Sequence, residues 1–369
     1  MNYIKLKDFI NFNPKESLRK GRTYRKFSMD QLFPFTRKIQ SNNYETYNSG
    51  SKFRNGDTLL AKITPCLENG KTSFVSGLDE DEVAFGSTEF IVARARPFIS
   101  LPLFVYYLLV CRSIRDKAIL SMTGSSGRER VQQIALDNIE IPNYTLDEQR
   151  HIVDTIGSVD NLIERKEKIN ELLQQKADLL FNSFLSNIND QVPLAQFQKN
   201  TICGKTPSTK KNDNWDGSFS FVTTEDLREK PFVIESKRKF NAGAATCIIL
   251  PGSILTSCIG TVGEVSISAI KCQTNQQINS IIPKKAYTLF LYEALSHSKD
   301  KIKAMSMSGT ATPNISKSSF LTLPIPNIKN EQLLCFNKLV SPLFKLIFHN
   351  MKEILELKII KSHLLEKYF

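Results

Sequence analysis

The two halves of this chain follow one plan, and this internal repeat constrains the fold more than any other feature of the sequence. Three short strings recur in the same order: residues 121–124 match 306–309, residues 139–143 match 323–327, and residues 148–149 match 331–332. Their separations are 185, 184 and 183 residues, and residues 55–63 resemble 251–259 more loosely at a separation of 196. Self-similarity of this kind indicates one structural module used twice.

A helical segment is expected after each module. Thr145 with Glu148 forms a capping-box pattern just after Pro142, which indicates a helix start. Gly157-Ser158 and Ser341-Pro342 fall at the same place in the two copies, and Ser followed by Pro suits a new helix start. The sequence therefore predicts a short helix and then a long one in each copy, the long ones at about 159–187 and 342–368. A helix of that length spans about 42 Å and could hold two domains apart.

Each predicted long helix carries one apolar stripe. The spacing near 3.5 predicts a coiled-coil seam. Matching stripes in the two copies favour antiparallel pairing of the helices with each other, although each stripe could instead pack on its own domain. The stripes consist of Val159, Leu162, Ile163, Ile169, Leu172, Leu173, Leu180 and Phe184 in the first copy, and of Val340, Leu343, Ile347, Met351, Ile354, Leu357 and Leu364 in the second.

The remaining segments predict two modules of mixed α and β structure. Short β-rich runs such as 90–93 and 280–282 alternate with turns, and 103–120 contains helix. We therefore predict an α+β fold of two tandem α/β domains, separated and joined by two long antiparallel coiled-coil helices and related by a pseudo-twofold repeat. The predicted boundaries are 1–144 and 188–328 for the domains, and 145–187 and 329–369 for the helical segments.

Charge and composition restrict the partners and the compartment. The chain has 49 Lys plus Arg against 37 Asp plus Glu, a formal charge of +12, which favours an anionic partner such as nucleic acid or an acidic membrane. A basic but unoccupied surface is the alternative. The seven scattered cysteines contain no CxxC pair, and neither a signal peptide nor a run of 18 apolar residues is visible. We expect a cytoplasmic protein with no membrane partner.

Basic and polar clusters in the first module are candidate DNA contacts. The first 40 residues hold ten basic and three acidic side chains, an excess that predicts a phosphate-facing surface or, alternatively, a solvated basic loop. The Gly- and Ser-rich turn at 121–132 could direct backbone N–H groups and Arg side chains at phosphates or guanine edges. The candidates are Arg19, Lys20, Arg22, Arg25, Lys26, Arg37, Lys38, Lys62, Ser125, Ser126, Arg128, Arg130 and Gln132.

The second module has its own candidates. Its copy of the turn replaces the Arg residues by residues 310–314, so two base-reading loops of this kind would read different bases. Asn and Gln suit adenine edges, although each residue taken singly could be an ordinary loop or strand-end residue. The candidates are Lys205, Thr206, Ser208, Lys210, Lys211, Trp215, Asn275, Gln276, Gln277, Thr310 and Asn314.

The signatures of catalysis are missing. The Gly-Lys-Thr strings at 70–72 and 204–206 have Pro65 and Lys199 where a phosphate-binding loop needs glycine. The string of an adenine methyltransferase is not present, and the four histidines lack zinc-ligand spacing. Glu164 and Glu356 are best interpreted as solvated helix charges. We expect no catalytic residue, no metal and no cofactor in this chain.

Over essentially its whole length the sequence resembles the specificity subunits of type I restriction-modification enzymes. Several stretches carry the resemblance: 124–131 running into 139–142, then 148–149 and the helix to Phe184, 204–208 opening the second module, and 11–17 with 28–30 opening the first. The second helix departs from the family's pattern at Pro342 and Asn350, which affects the expected helix length and spacer.

The resemblance implies a function as well as a fold. It implies two target recognition domains, each reading one half of a split site in double-stranded DNA. Because the two turns differ, we expect the target to be asymmetric. The resemblance also implies helices that set the unread spacer and dock two modification subunits, which bind S-adenosylmethionine and methylate adenine, with restriction subunits adding ATP-driven translocation and cleavage. The side chains expected on the partner-binding helices are Val159, Leu162, Ile169, Leu173, Leu180, Ile347, Ile354, Leu357 and Leu364.

Two other functions remain open at this point. The chain could be an interaction protein whose helices bind a partner while the basic domains bind RNA or nothing. It could also be a nuclease or NTPase that acts alone.

Overall fold

The structure is a computed structural model that describes residues 2–186, 188–210, 212–228, 230–307 and 312–369. The chain divides into two compact units, unit 1 (Met1–Glu164 with Glu356–Phe369) and unit 2 (Arg165–Leu355). Each unit therefore contains one module together with helical segments from both halves of the sequence.

The described residues of unit 1 form two sheets and a β-ribbon. The strands are β1 Tyr3–Lys5, β2 Ile10–Phe12, β3 Thr23–Phe27, β4 Lys38–Ile39, β5 Tyr44–Thr46, β6 Ser51–Phe53, β7 Thr58–Ala61, β8 Thr72–Val75, β9 Ala84–Gly86, β10 Phe90–Ala95 and β11 Glu140–Pro142. The larger sheet has the order β2-β10-β7-β8-β4, the smaller one β5-β3-β9-β6, and β1 pairs with β11. The helices are α1 Leu6–Phe9, α2 Pro102–Val110, α3 Arg112–Leu120, α4 Gln133–Asp137 and the first part of α5 Leu146–Leu185.

The described residues of unit 2 repeat this plan. The strands are β12 Gln191–Pro193, β13 Gln198–Cys203, β14 Phe219–Val222, β15 Phe232–Val233, β16 Arg238–Phe240, β17 Ile254–Ser257, β18 Val265–Ser268, β19 Cys272–Thr274, β20 Ile278–Pro283 and β21 Pro324–Pro326. The helices are α6 Thr224–Leu227, α7 Thr288–His297, α8 Lys299–Ser306, α9 Lys317–Leu321 and α10 Asn330–Tyr368. The sheets have the orders β13-β20-β17-β18-β15 and β16-β14-β19, and β12 pairs with β21.

The two large sheets correspond strand for strand, and in both the last pair is parallel: β4 with β8, and β15 with β18. The predicted strands at 90–93 and 280–282 lie within β10 and β20. The helix predicted in 103–120 is two helices, because the backbone is extended at Cys111. The α+β class and the internal repeat are confirmed.

The predicted breaks in the long helices are wrong. Helix α5 continues through Gly157-Ser158, where the Ser158 hydroxyl donates to the Thr155 carbonyl at 2.8 Å. Helix α10 continues through Pro342, which is exposed, while Val340 and Phe344 on either side of it are buried. Packing of the buried face outweighs a local break signal. The predicted start at Thr145 is confirmed, since the Glu148 carboxylate accepts from the Thr145 N–H at 2.7 Å. Position 187, the predicted end, lies outside the described residues.

Only some residues of the apolar stripe predicted on α5 lie on its buried face. Leu162, Ile169 and Leu172 are 43%, 43% and 53% exposed, so their placement in a seam is wrong. On α10, Val340, Ile347 and Ile354 are buried as predicted. A search for apolar spacing misses the polar members of the buried face. The buried residues include Gln149, Ile152, Ile156, Asp160, Ile163, Ala177 and Phe181 on α5, and Leu333, Phe336, Val340, Phe344, Ile347, Asn350, Ile354 and Lys361 on α10.

Within each unit the two helices run antiparallel, as predicted. In unit 2, Lys166 forms an ion pair with Glu353, and Asn350 Nδ2 donates to Asn170 Oδ1 at 2.9 Å. Further along, the rings of Phe181 and Phe336 lie 6.0 Å apart.

In unit 1 the same direction is clear. The Tyr144 hydroxyl donates to the Tyr368 carbonyl at 3.0 Å, and Asp160 forms a 2.7 Å ion pair with Lys361. Among the described residues, no helix is both long enough and apolar enough to cross a bilayer.

A buried carboxyl group in unit 2 makes stability depend on pH. Glu293 of α7 is 2% exposed. Burial, and then the charge of Asp178 on α5 and a hydrogen bond with it, raises the pKa of Glu293 to about 9. The folded state therefore keeps a proton that the unfolded chain, with a carboxyl pKa of 4.5, releases. The free energy of unfolding consequently falls as pH rises from about 4.5 toward 9.

Glu293→Gln removes this titration but keeps a neutral hydrogen-bonding group. We expect it to raise the free energy of unfolding by about 1–3 kcal/mol at pH 8 and by much less at pH 5, since one pKa unit is worth about 1.4 kcal/mol. Urea unfolding at the two pH values measures this, with the exposed Glu356→Gln as control. An equal effect at both pH values would contradict the assignment of a neutral Glu293.

Candidate nucleic-acid interface

The Gly- and Ser-rich turn of unit 1 is an exposed hairpin fixed to the large sheet. Thr123 and Arg130 exchange two backbone hydrogen bonds, of 3.1 and 2.9 Å. Gly127 has φ +76°, a conformation that favours glycine. The hairpin is held to the chain after β7, because the Val131 N–H donates to the Lys62 carbonyl at 2.9 Å and Ile63 bridges to Arg130. Ser125, Ser126 and Arg128 are exposed at its tip.

The two arginines of this hairpin differ. Arg130 is held by Glu89, with its Nη2 2.8 Å from the carboxylate, and the hydrogen bond and charge of Arg130 lower the pKa of Glu89. Gln132 Nε2 donates to the Thr123 hydroxyl at 2.5 Å, which braces the base of the turn. Among the residues that the structure describes, the Arg128 side chain has no partner, so it is the arginine available to a ligand.

A cleft of about 740 Å³ opens beside the hairpin. Asn13 at its edge has φ +49°; its amide oxygen accepts from the Val92 N–H at 3.1 Å, and its Nδ2 donates to Gln133 at 3.3 Å. The predicted Lys62 lies in this cleft, together with Lys15 and Lys52, which the sequence did not single out. Lys52 Nζ already donates to the Glu16 carbonyl at 2.8 Å, and lysines lining one opening suit an anionic ligand.

The basic N-terminal stretch divides into two groups. Arg19, Lys20 and Arg22 are exposed around Gly21. Lys26 is instead paired with Glu45 at 2.6 Å, and Arg25 with Glu82 at 3.1 Å. Lys38 is exposed.

Arg37 is not a free DNA contact. Its side chain is 11% exposed, Nε donates to Glu164 at 2.9 Å, and Nη2 donates to Asn161 at 2.7 Å, both on α5. Burial alone would lower the pKa of Arg37, but the hydrogen bond and charge of Glu164 outweigh it and raise the pKa. The interpretation of Glu164 as a solvated helix charge is therefore also wrong. Positive charge along a sequence does not reveal an acidic partner that lies 127 residues away.

In unit 2 the structure brings several predicted residues together. The Thr206 hydroxyl donates to Gln276 Oε1 at 2.6 Å, and the Lys205 N–H donates to the Thr274 carbonyl at 2.9 Å. Gly204 is required here, because a Cβ would lie 2.1 Å from the Asn275 carbonyl oxygen. The loop beginning at Gly204 is thus fixed against the turn at 275–277, where Asn275 Nδ2 donates to Gln277 at 2.8 Å.

Trp215 marks a second cluster in unit 2. Its indole N–H donates to the Ser208 carbonyl at 3.3 Å. The Arg238 guanidinium lies 4.2 Å from the Trp215 ring centre and 5.5 Å from that of Phe221, and Arg238 is exposed. The sequence prediction missed Arg238, although the basic run at 237–239 in a short strand was a visible signal.

Asn314 occupies the place that Arg130 has in unit 1. It bridges to Ile259, as Arg130 bridges to Ile63, and the Ile315 N–H donates to the Cys258 carbonyl at 2.9 Å. Lys210 is exposed, whereas the candidates Lys211 and Thr310 lie outside the described residues.

One group of side chains in the described residues has its ligand atoms close enough together for a metal ion. It consists of Asp178, Glu293 and His297, within 4.8 Å of one another. His297 Nδ1 lies 2.9 Å from the Glu293 carbonyl oxygen, and Glu293 shares a hydrogen bond with Asp178. Glu293 is buried, whereas Asp178 is half-buried and His297 is exposed, so these contacts surround one protonated carboxyl group, that of Glu293.

Comparisons with known proteins also find one module used twice. The family model of the type I restriction modification DNA specificity domain matches residues 1–175 and again 192–355. The specificity subunit of the type I restriction enzyme HindI from Haemophilus influenzae is 26% identical over 399 residues, which cover 85% of this chain and 86% of the relative. The EcoAI specificity subunit from Escherichia coli is 32% identical over 150 residues, covering 40% of this chain and 25% of the relative.

A solved structure shares the fold. The crystal structure of a type I restriction-modification system S subunit from M. genitalium aligns over 100% of this chain and 96% of its own, with a TM-score of 0.59 and 16% identity.

Arg37→Ala tests whether Arg37 stabilises the fold or is instead free to bind a ligand. We expect it to lower the free energy of unfolding by about 2–3 kcal/mol, because Glu164 loses its partner in a half-buried site. Arg22→Ala, at an exposed position, should change it by less than about 0.5 kcal/mol. Urea unfolding of the two variants measures this, and equal stabilities would overturn the role given to Arg37.

Proposed function

The chain belongs to the family of type I restriction-modification DNA specificity subunits, and from this premise we propose that it reads a split site in double-stranded DNA, one half with each of two target recognition domains. We assign the domains to residues 1–144 and 188–328, and the helical spacers to 145–187 and 329–369. The observation that carries the proposal is the segment attached at the same place in both units, through Ile63 to Arg130 and through Ile259 to Asn314.

Different side chains at this shared place favour different half-sites. Arg128 and Arg130 belong to the unit 1 hairpin, and Pro313 and Asn314 to its counterpart. A guanidinium suits the guanine edge, and an amide suits the adenine edge. An asymmetric target follows.

Electrostatics supports a DNA partner over a neutral one. The formal charge is +12, and Lys15, Lys52 and Lys62 surround one cleft beside the hairpin. Lysines of this kind would contact phosphates and position the duplex, leaving Arg128 to contact a base. In unit 2, Arg238 is the corresponding candidate, because stacking on Trp215 orders its planar guanidinium before any ligand arrives.

The long helices are proposed to set the spacer and to dock two modification subunits. At 1.5 Å per residue, the 40-residue α5 is about 60 Å long. Exposed apolar side chains on a helix favour a partner surface. They are Leu162, Ile169, Leu172 and Leu179 on α5, and Leu334, Leu339, Leu346, Ile359 and Ile360 on α10. The modification subunits would bind S-adenosylmethionine and methylate adenine, restriction subunits would translocate and cleave, and this chain would supply no catalytic group.

Genome-wide adenine methylation tests the function. We expect coexpression with a modification subunit from the same host to produce methylation at a split, asymmetric motif with a fixed spacer. The control is the modification subunit alone. A palindromic or continuous motif would contradict two different half-sites, and failure to form any complex would favour the interaction-protein alternative.

Single arginines should control single halves of that motif. Arg128→Ala is expected to relax one base position in one half-site and Arg238→Ala one position in the other, since a bidentate contact discriminates by about 1–3 kcal/mol. Arg112→Ala, which removes an exposed Arg112–Asp116 pair on α3, is the matched control. Methylation mapping of each complex measures this, and relaxation of both halves by one variant would argue against separate readers.

A further inference from the structure

Each module meets the long helices through a small cluster, which we call its seat. Seat 1 lies in unit 1 and consists of Arg37, Tyr107, Asp160, Glu164 and Lys361. Asp160 and Lys361 are 4% and 5% exposed and form a 2.7 Å ion pair. The Tyr107 hydroxyl donates to the other carboxylate oxygen of Asp160 at 2.9 Å, and Arg37 binds Glu164.

Seat 2 lies in unit 2 and is apolar. It consists of Ala177, Phe232, Tyr292, Phe344 and Phe348. The ring of Phe232 lies 5.9 Å from that of Phe344 and 5.3 Å from that of Phe348, and Tyr292 meets Phe344 edge-on at 5.3 Å. Ala177 is fully buried.

The two seats occupy equivalent positions of the repeat. The N–H of Thr145 donates to Glu148, and the N–H of Lys329 donates to Gln332, so the two helix starts are 184 residues apart. The buried residues of α5 recur on α10 at the same separation: Ile152 and Phe336, Ile156 and Val340, Ile163 and Ile347.

By this register the long-helix residues of the charged seat match those of the aromatic seat. Asp160 corresponds to Phe344, Glu164 to Phe348, and Lys361 to Ala177. The edge strands correspond as well, since β4 contains Lys38 opposite Phe74 and β15 contains Phe232 opposite Ile267.

We propose that the buried Asp160–Lys361 pair determines which helix pairs with the first part of α5. The pair, which we call the pairing code, selects the end of α10, which carries Lys361, to complete seat 1. It excludes the equivalent end of α5, which carries Ala177. Two copies of α5 paired with each other would place Ala177 beside Asp160 and leave a buried carboxylate without a cation. Two copies of α10 would place Lys361 against Phe344. Burying one charge without its partner is strongly unfavourable, whereas removing both is nearly neutral. The partner that fits seat 1 is therefore the other half of this chain, independently of any DNA that it reads.

The contact at the midpoint of the α5–α10 pair also favours pairing of α5 with α10 over pairing of two α5 helices. Lys166 and Asn350 correspond to each other in the 184-residue register, and Lys166 Nζ lies 3.4 Å from Asn350 Oδ1. A pair of two α5 helices would set one Lys166 against another, and like charges at such a contact repel.

An isosteric mutant cycle in the full-length chain tests the code. We expect Lys361→Met and Asp160→Asn each to lower the melting temperature by on the order of 5 °C, because each leaves one buried charge unpaired. The double variant should melt closer to the wild type than either single variant. Lys168→Ala, which removes an exposed Lys168–Glu171 pair, is the control and should leave the melting temperature unchanged.

A transplant into seat 2 provides the second test. Ala177→Lys places a lysine against Phe344 without a carboxylate and should lower the melting temperature. Combining it with Phe344→Asp recreates the code, so the double variant should lose less than the sum of the two single losses. Additive losses in the isosteric cycle would overturn the proposal, as would a Lys361→Met variant as stable as the control. If the transplant does not fold, the isosteric cycle alone decides.

Discussion

Each module is completed by a helical segment from the other half of the chain, and the rest of the structure depends on this exchange. In unit 1 the last residues of α10 pack against the core: the ring of Phe369 lies 5.4 Å from Phe104, and Leu364 and Leu365 contact the same cluster. In unit 2, Ala177 and Phe181 of α5 belong to the core, and Phe181 lies 5.7 Å from Phe290. The stability of each module therefore depends on helix pairing, since neither core is complete without the helix from the other half of the chain.

The buried polar residues of the helices add selectivity to this exchange. Asp160, Lys361 and Asn350 lie where an apolar side chain would stabilise the helices at least as well, because desolvating a charge offsets much of what its partner contributes. Their contribution is to specify a partner: Asp160 is satisfied by Lys361 and Tyr107, and Asn350 by Asn170. The aromatic seat in unit 2 needs no such match.

The internal repeat, the mixture of strands and helices in each module and the antiparallel direction of the long helices could all be predicted from sequence, because they follow from local patterns and matched spacing. Helix continuity at Gly157 and Pro342 could not, since it depends on packing of residues distant in sequence. In the candidate interface, Lys62 and the hairpin, and Thr206 and Gln276, were separate candidates in the sequence, and only the fold shows that they are neighbours. Arg37 was misassigned because its partner, Glu164, lies on another element, and Arg238 was missed because its stacking on Trp215 is a tertiary contact.

The central proposal is that each of the two modules reads its own half of the DNA site. Its most direct test replaces residues 1–144 by the corresponding segment of another family member, retaining Arg37 and Tyr107 so that seat 1 is preserved, and then maps adenine methylation with the same modification subunit. The account predicts that one half of the split motif changes while the other half and the spacer stay the same. A change in both halves, or an altered spacer with unaltered halves, would contradict it.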